Sequence, residues 1–433
     1  MTKRVYLHVG APKSGTTYIQ QVLETNRARL HDAGVRVVGD THLDRVHAAM
    51  VVRQDPRLEA LPEAARTSWA RLVKQVHGWR GDVAILSYEL LAGASAEQVA
   101  AALADLDGLE VHVVITARDL GVSVPSAWQE RLKFALTTPL EEWRPRPERA
   151  GVRAEWGWRT MDPAGVAARW GADLPAGHVH IVTVPRDPAD QALLWRRFAG
   201  ACGLDVPALA LEMKRANQSL GLVGAELLRR VNEKVRDPIT GNREQARWLR
   251  DTLAHGVLAH LGREPIGLTD EQFDEASRRA EQARARIEEA GYDVRGDLAD
   301  IAATRPDARL PSEASDAELL DTAVETIVGL LGLARERTHE RDAARAESGE
   351  EGSRLASFGK GVVRRVTAQH VDRRHDALRA RIAELEHEVA AARSLHLRVA
   401  ELTDVVTELL MPPGQANKAV TGRALTKYRK AAL

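Results

Sequence analysis

Eight residues near the N-terminus, Gly10-Ala11-Pro12-Lys13-Ser14-Gly15-Thr16-Thr17, place one ammonium, three hydroxyls and two glycines between an apolar run and a helical pattern. A loop that closes a strand and opens a helix turns backbone N–H groups and a helix N-terminus toward one point, where an anion can sit. The glycines permit the tight turn and the close approach of backbone to phosphate. The pattern departs from a standard Walker A motif, which needs Lys directly after the second Gly and then Ser or Thr for Mg²⁺. Thr16 stands at that Lys position, and the Lys has moved to position 13, inside the loop. A Lys placed there can reach the oxygen bridging a phosphate and its leaving partner. The apolar run Val111–Ala117 ends in Thr116-Ala117-Arg118, without a Walker B acid, which weighs against the alternative of a small-molecule kinase.

Arg118 and Ser126 form a second constellation, eight residues apart across the junction of a strand and a helix. Arg offers a planar fork to a phosphate, and the hydroxyl adds a donor from the helix; by itself the spacing is common and reads equally as a surface pair. The segment Lys214-Arg215-Ala216-Asn217 could add positive charge or be a solvated face. Two residues are candidates for a general base. Glu89 closes the run Ile85-Leu86-Ser87-Tyr88-Glu89, at the carboxyl end of an expected strand, and His47 sits in the polar stretch Thr41–Ala48 with His42 nearby. Each has a plainer reading, Glu89 as a helix-start charge or Arg partner and His47 as a helix-surface residue. No metal site is expected, since His42 and His47 are five apart and Cys202 is the sole cysteine. No G-x-S-x-G elbow occurs.

The loop Pro12-Lys13-Ser14-Gly15-Thr16-Thr17 resembles the 5′-phosphosulfate loop of sulfotransferases that use 3′-phosphoadenosine 5′-phosphosulfate (PAPS). Arg118 and Ser126 resemble that family's 3′-phosphate site, an Arg ending a central strand and a Ser eight residues on. The resemblance runs roughly from Arg4 to Asn232 and takes in Leu193–Leu204 (LLWRRFAGACGL), which is similar to the family's late helix. It implies transfer of a sulfuryl group from PAPS to an acceptor hydroxyl on a sugar, glycolipid or small-molecule alcohol, without a metal. Lys13 would neutralise the leaving oxygen, and Pro12, Ser14, Gly15, Thr16 and Thr17 would hold the donor. The family's base is His in some members and Glu in others, so Glu89 and His47 both stay open. A non-catalytic scaffold built on the same fold is the other alternative.

These residues need a frame. Short β-rich runs at Val5–Val9, Val35–Val38, Val83–Ser87, Val111–Ala117 and His178–Val184 alternate with helical patterns at Thr16–Leu30, Ser68–Gly78 and Ala96–Leu106. That alternation predicts an α/β fold, a doubly wound parallel sheet. Phe134–Pro163 fits no regular period and carries Trp143, Trp156 and Trp158. It reads either as part of an acceptor site or as a surface loop pinned by Trp.

All nine Trp lie between Trp69 and Trp248, so the large core is expected to end before about Leu261. The 433 residues then divide into an α/β domain over 1–260, a helical extension over 261–346, and a linker, coiled coil and tail over 347–433. Ser348–Ser353 (SGEEGS) reads as the linker. Leu378, Ile382, Leu385, Val389 and Ala392 recur at four and three, a heptad seam that could pair two copies of the chain. Lys+Arg and Asp+Glu are both 61, a neutral balance that gives no support to a nucleic-acid partner. No membrane span and no signal segment are expected, which makes the cytoplasm the default location. Only ten of the 61 basic residues are Lys, which points to a GC-rich bacterial source. Cys202, in an apolar stretch, is expected to pack as a small hydrophobe.

Overall fold

The computed structural model describes residues 4–146, 156–187, 190–213, 219–235 and 239–358, and their side chains except at 191 and 341–358. The five β-rich runs become strands within a residue or two of their expected ends: β1 Arg4–His8, β2 Val35–Val37, β3 Val83–Ser87, β4 Glu110–Ala117 and β5 Val179–Thr183. A sixth strand, β6 Asp293–Arg295, joins the far edge. All pairings are parallel, in the order β2-β3-β1-β4-β5-β6.

Strand alternation divides the sheet's side chains between two apolar layers. Val5, Leu7, Val113 and Ile115 belong to one layer, and Tyr6, Val114 and Val182 to the other. Cys202 is fully buried in the second. The chain runs outward from β1 to β2, returns through β3, then crosses to β4 on the other side of β1. β1 and β4 therefore bracket the point where the winding reverses, at whose carboxyl end such sheets bind ligands.

The core continues past Leu261. The helix Asp270–Glu289 buries Ala276, Ala280, Ala283 and Ile287, spaced as one helix face, in the first layer. Alanine on that face lets it approach the helices Leu120–Leu132 and Pro163–Trp170 closely, and a count of aromatic residues does not register it. β6 also lies beyond 261, so the boundary expected there falls inside one compact unit, Met1–Glu336. Arg337–Leu433 is a second unit. Ser348–Ser353, expected as a linker, lies within the helix Asp316–Phe358. Its two glycines each cost about 1 kcal/mol against Ala, and the Ala, Glu and Arg residues around them are strong helix formers. The heptad seam from Leu378 lies outside the described residues. Among the described residues no helix is long and apolar enough to cross a membrane.

Candidate functional site

The phosphate loop grows out of the β1–β4 ladder. Val9 N–H donates to the Val114 carbonyl and Ala11 N–H to the Thr116 carbonyl, each at 3.0 Å. Gly10 (φ 95°) and Gly15 (φ 80°) occupy the left-handed region. Each is also pressed by a neighbour. A Cβ on Gly10 would lie 2.7 Å from Glu89 Cα, and one on Gly15 would strike the Leu194 side chain. Lys13 takes φ 65° without a glycine's freedom, a strained conformation of the kind that collects at functional sites. The helix Thr16–Thr25 then begins at Gly15 with no side chain capping it, which leaves its first N–H groups available to an anion.

Beneath the loop a buried polar chain fixes its height. The Ser14 hydroxyl bonds Ala11 O and Thr116 Oγ1. Thr116 Oγ1 lies 3.4 Å from His8 Nε2, and His8 Nδ1 lies 2.7 Å from Ser87 Oγ. Burial lowers the His8 pKa to about 3, so the ring is neutral and the chain does not change charge near pH 7. The Ser14 side chain is thus committed to the protein, and Pro12 is buried as well. Neither lines the cavity, in contrast to the expectation that both would hold the ligand.

Above the loop lies a cavity of about 610 Å3, lined by Lys13, Gly15, Thr16, Thr17, Arg118 and Ser126 among others. Two segments far apart in sequence are brought together there. Arg118 leaves β4 next to the loop and donates from Nη1 to the Lys13 carbonyl at 3.0 Å. Burial lowers its pKa, and among the described residues no carboxylate is in ion-pair contact with its guanidinium. An anion beside it would offset that desolvation. The helix Leu120–Leu132 follows at once and presents Ser126 to the same cavity. Asp119 caps this helix and also accepts from Thr304 N–H at 3.1 Å, tying a distant loop to the cavity rim.

One turn beyond Ser126, the same helix carries a residue that the reading of the sequence passed over. Glu130 lines the cavity and accepts from Lys13 Nζ at 2.8 Å and Lys133 Nζ at 2.7 Å. Burial pushes its pKa up, but the two ammonium groups outweigh burial and bring it down to about 2. The signal was available: Arg118, Ser126 and Glu130 follow at spacings of eight and four, the last a helical i, i+4 step. The π-helix Ala246–Leu258 packs nearby with His255. Burial, with Lys133 next, lowers the His255 pKa to about 4.

Of the two candidate bases, Glu89 lines the cavity and accepts from Gln20 Nε2 at 2.8 Å. His47 lies on the helix His42–Val52, half-buried and away from the cavity lining. His42 at the start of that helix is the one nearer Glu89, its ring edge-on to Tyr88 at 5.7 Å. Burial, then Arg45, lowers the His42 pKa. The Trp-bearing stretch divides between its two readings: Trp143 and Trp158 are core residues, whereas Trp156 lines the cavity. Lys214-Arg215-Ala216-Asn217 falls outside the described residues.

Residues 378–432 match a family model described as a domain of unknown function, DUF6752. No curated protein matches the chain. Among solved structures, the chain is similar to a sulfotransferase from Alicyclobacillus acidocaldarius, with 14% identity and a TM-score of 0.32 over 49% of this chain and 87% of that one. It is also similar to the sulfotransferase domain from the curacin biosynthetic pathway, with 11% identity and a TM-score of 0.29 over 65% of this chain and 96% of that one.

Proposed function

We propose that the chain binds PAPS in this cavity and transfers its sulfuryl group to an acceptor hydroxyl. The observation that carries the reading is the meeting of two separate anion-binding devices in one cavity. These are a lysine-bearing loop on the helix Thr16–Thr25 and a buried Arg118 with Ser126, set at the carboxyl ends of adjacent strands. A nucleotide carrying both a 5′ and a 3′ anionic group has use for both.

In this account the loop N–H groups with Thr16 and Thr17 hold the 5′-phosphosulfate, and Arg118 with Ser126 holds the 3′-phosphate. The acceptor oxygen forms a bond to sulfur as the bond from sulfur to the 5′-phosphate oxygen breaks. The acceptor's proton passes to a carboxylate, and Lys13 neutralises the charge left on the phosphate. Glu89 is the proposed base. Glu130, whose carboxylate the Lys13 and Lys133 ammonium groups hold below its ordinary pKa, holds Lys13 in reserve. Ser14 and Pro12 act from below by shaping the loop. The acceptor contacts Trp156. Incubating the chain with PAPS and small-molecule extract, then searching by mass spectrometry for products heavier by one SO3, tests the reading. Products that vanish in Lys13→Ala are expected, and their absence across sugar, lipid and alcohol fractions would count against it.

A further inference from the structure

The opposite end of the sheet carries a second cluster of reactive side chains that sulfuryl transfer does not use. Glu110 and His112 are two apart on β4, so strand alternation puts them on one face; His180 lies on β5, and His178 ends the turn that leads into it. Ligand atoms of Glu110, His112 and His178 all lie within 4.8 Å of one another. His112 and His178 stack with ring centroids 4.1 Å apart, and Tyr6 also stacks on His112, at 4.8 Å.

The hydrogen bonds fix where the lone pairs point. His178 Nδ1 faces the Val111 carbonyl at 3.1 Å, an acceptor, so Nδ1 carries the proton and Nε2 is free to donate an electron pair. His180 Nδ1 faces Asp293 Oδ2 at 2.6 Å and is likewise the protonated nitrogen. His180 Nε2 must then accept from His112 Nδ1, 2.9 Å away. That leaves the lone pair of His112 Nε2 pointing at Glu110 Oε1, 3.0 Å away. With both rings neutral, these three contacts share two protons, and in the last one two electron pairs face each other. A cation between His112 and Glu110 resolves the conflict.

We propose that Glu110, His112 and His178 bind one divalent transition-metal ion of the zinc class. Two imidazole nitrogens and one carboxylate oxygen suit such an ion and leave a fourth position for water. Asp293 and His180 are positioning residues: their chain of hydrogen bonds holds the His112 tautomer, as outer partners commonly do at metal sites. Closing ligand atoms to the roughly 3.3 Å edges of a four-coordinate zinc site requires one ring to tilt. His178, which ends the 3-10 turn Ala176–His178, and the part-exposed Glu110 have room to move and give an ion its way in. Positive charge is present too. Arg295 engages Asp293 at 2.9 Å and Arg4 lies near Glu110, so the carboxylates of Glu110 and Asp293 must outweigh it.

The test is a Co²⁺ titration of the tag-free, chelator-treated full chain, read by visible absorption, with Zn²⁺ competition. One equivalent should bind with the intense d–d bands of a four-coordinate site and be displaced by Zn²⁺. Glu110→Gln and His178→Ala should each remove that equivalent or weaken it more than tenfold, and Asp293→Asn should weaken it about 10- to 100-fold. Glu110 is exposed enough for Glu110→Gln to keep the fold, which circular dichroism checks. Binding of 3′,5′-ADP should be unchanged in these variants, so the metal site and the nucleotide site succeed or fail separately. Absence of four-coordinate bands, or bands that survive in both Glu110→Gln and His178→Ala, would overturn the proposal and leave an imidazolium at His112 as the account of the cluster.

Discussion

Lys13 is held by Glu130 in this structure and must exchange it for the donor's oxygen if it is to act on the leaving group. Lys13→Ala is therefore expected to lower turnover by about 10²–10³-fold while changing donor affinity less than tenfold; steady-state kinetics beside calorimetric binding separates the two. Glu130→Gln should leave nucleotide binding intact or tighten it, because it frees Lys13. A fall in turnover above a hundredfold at unchanged binding would assign Glu130, not Glu89, as the base. The same substitution strands Lys133, whose side chain is 2% exposed, and breaking such a buried pair typically costs about 3–5 kcal/mol. The sign with pH follows from the depressed pKa. Glu130 titrates near 2 in the fold and near about 4.3 in an unfolded chain. Its contribution is present above the unfolded value and disappears as pH falls through the folded one. Denaturation curves of the two proteins should differ most above about pH 4.5 and converge toward pH 2.

At the scale of elements, the loop, β4 and the helix Leu120–Leu132 act as one frame, joined by the Arg118 contact to the Lys13 carbonyl and by the buried chain from Ser14 to Ser87. Gly15→Ala should abolish nucleotide binding in a folded protein, since it strains φ and displaces Leu194 at once; retained affinity would mean that the loop is not the ligand's seat. The two tryptophans separate function from packing. Trp156→Ala should raise the acceptor KM and spare nucleotide binding, whereas Trp143→Ala should cost stability, on the order of 3–5 kcal/mol for a buried Trp, and impair both alike. Much of this frame was legible in the sequence, because the site's backbone is set by local rules: an apolar run, a glycine turn, a helix start. Arg118 and Ser126 stood out through their resemblance to the sulfotransferase 3′-phosphate site, and both line the cavity. What was not legible depended on tertiary contact. The burial of the Ser14 hydroxyl needs Thr116 from another strand, the Lys13 partner lies 117 residues away, and β6 is a half-exposed three-residue strand without an apolar run.

For the whole molecule, the heptads from Leu378 to Ala392 predict self-association separable from catalysis. A chain ending at Ala346 should bind nucleotide as the full chain does and sediment as a monomer where the full chain is a dimer. It keeps Leu320, Val324, Ile327, Val328 and Leu331, exposed along one side of the helix Asp316–Phe358. A dimer that persists after truncation would therefore place the seam there, and a full chain that is monomeric at micromolar concentration would rule out pairing by either stripe. The aromatic count misjudged the extent of the core because the later helices bury alanine, and the first compact unit runs on to Glu336. The account as a whole rests on one cavity serving a nucleotide with anions at both its 5′ and 3′ ends. The most direct measurement is a calorimetric titration, in excess EDTA, of wild type and Arg118→Ala with 3′,5′-ADP and with 5′-ADP. The account predicts that wild type binds 3′,5′-ADP more tightly without metal. It predicts that Arg118→Ala weakens this ligand about ten- to a hundredfold, the worth of a charged hydrogen bond, while 5′-ADP is little affected. Equal loss of both ligands would contradict it, as would tight binding of ATP·Mg²⁺ in a parallel titration without EDTA when 3′,5′-ADP does not bind.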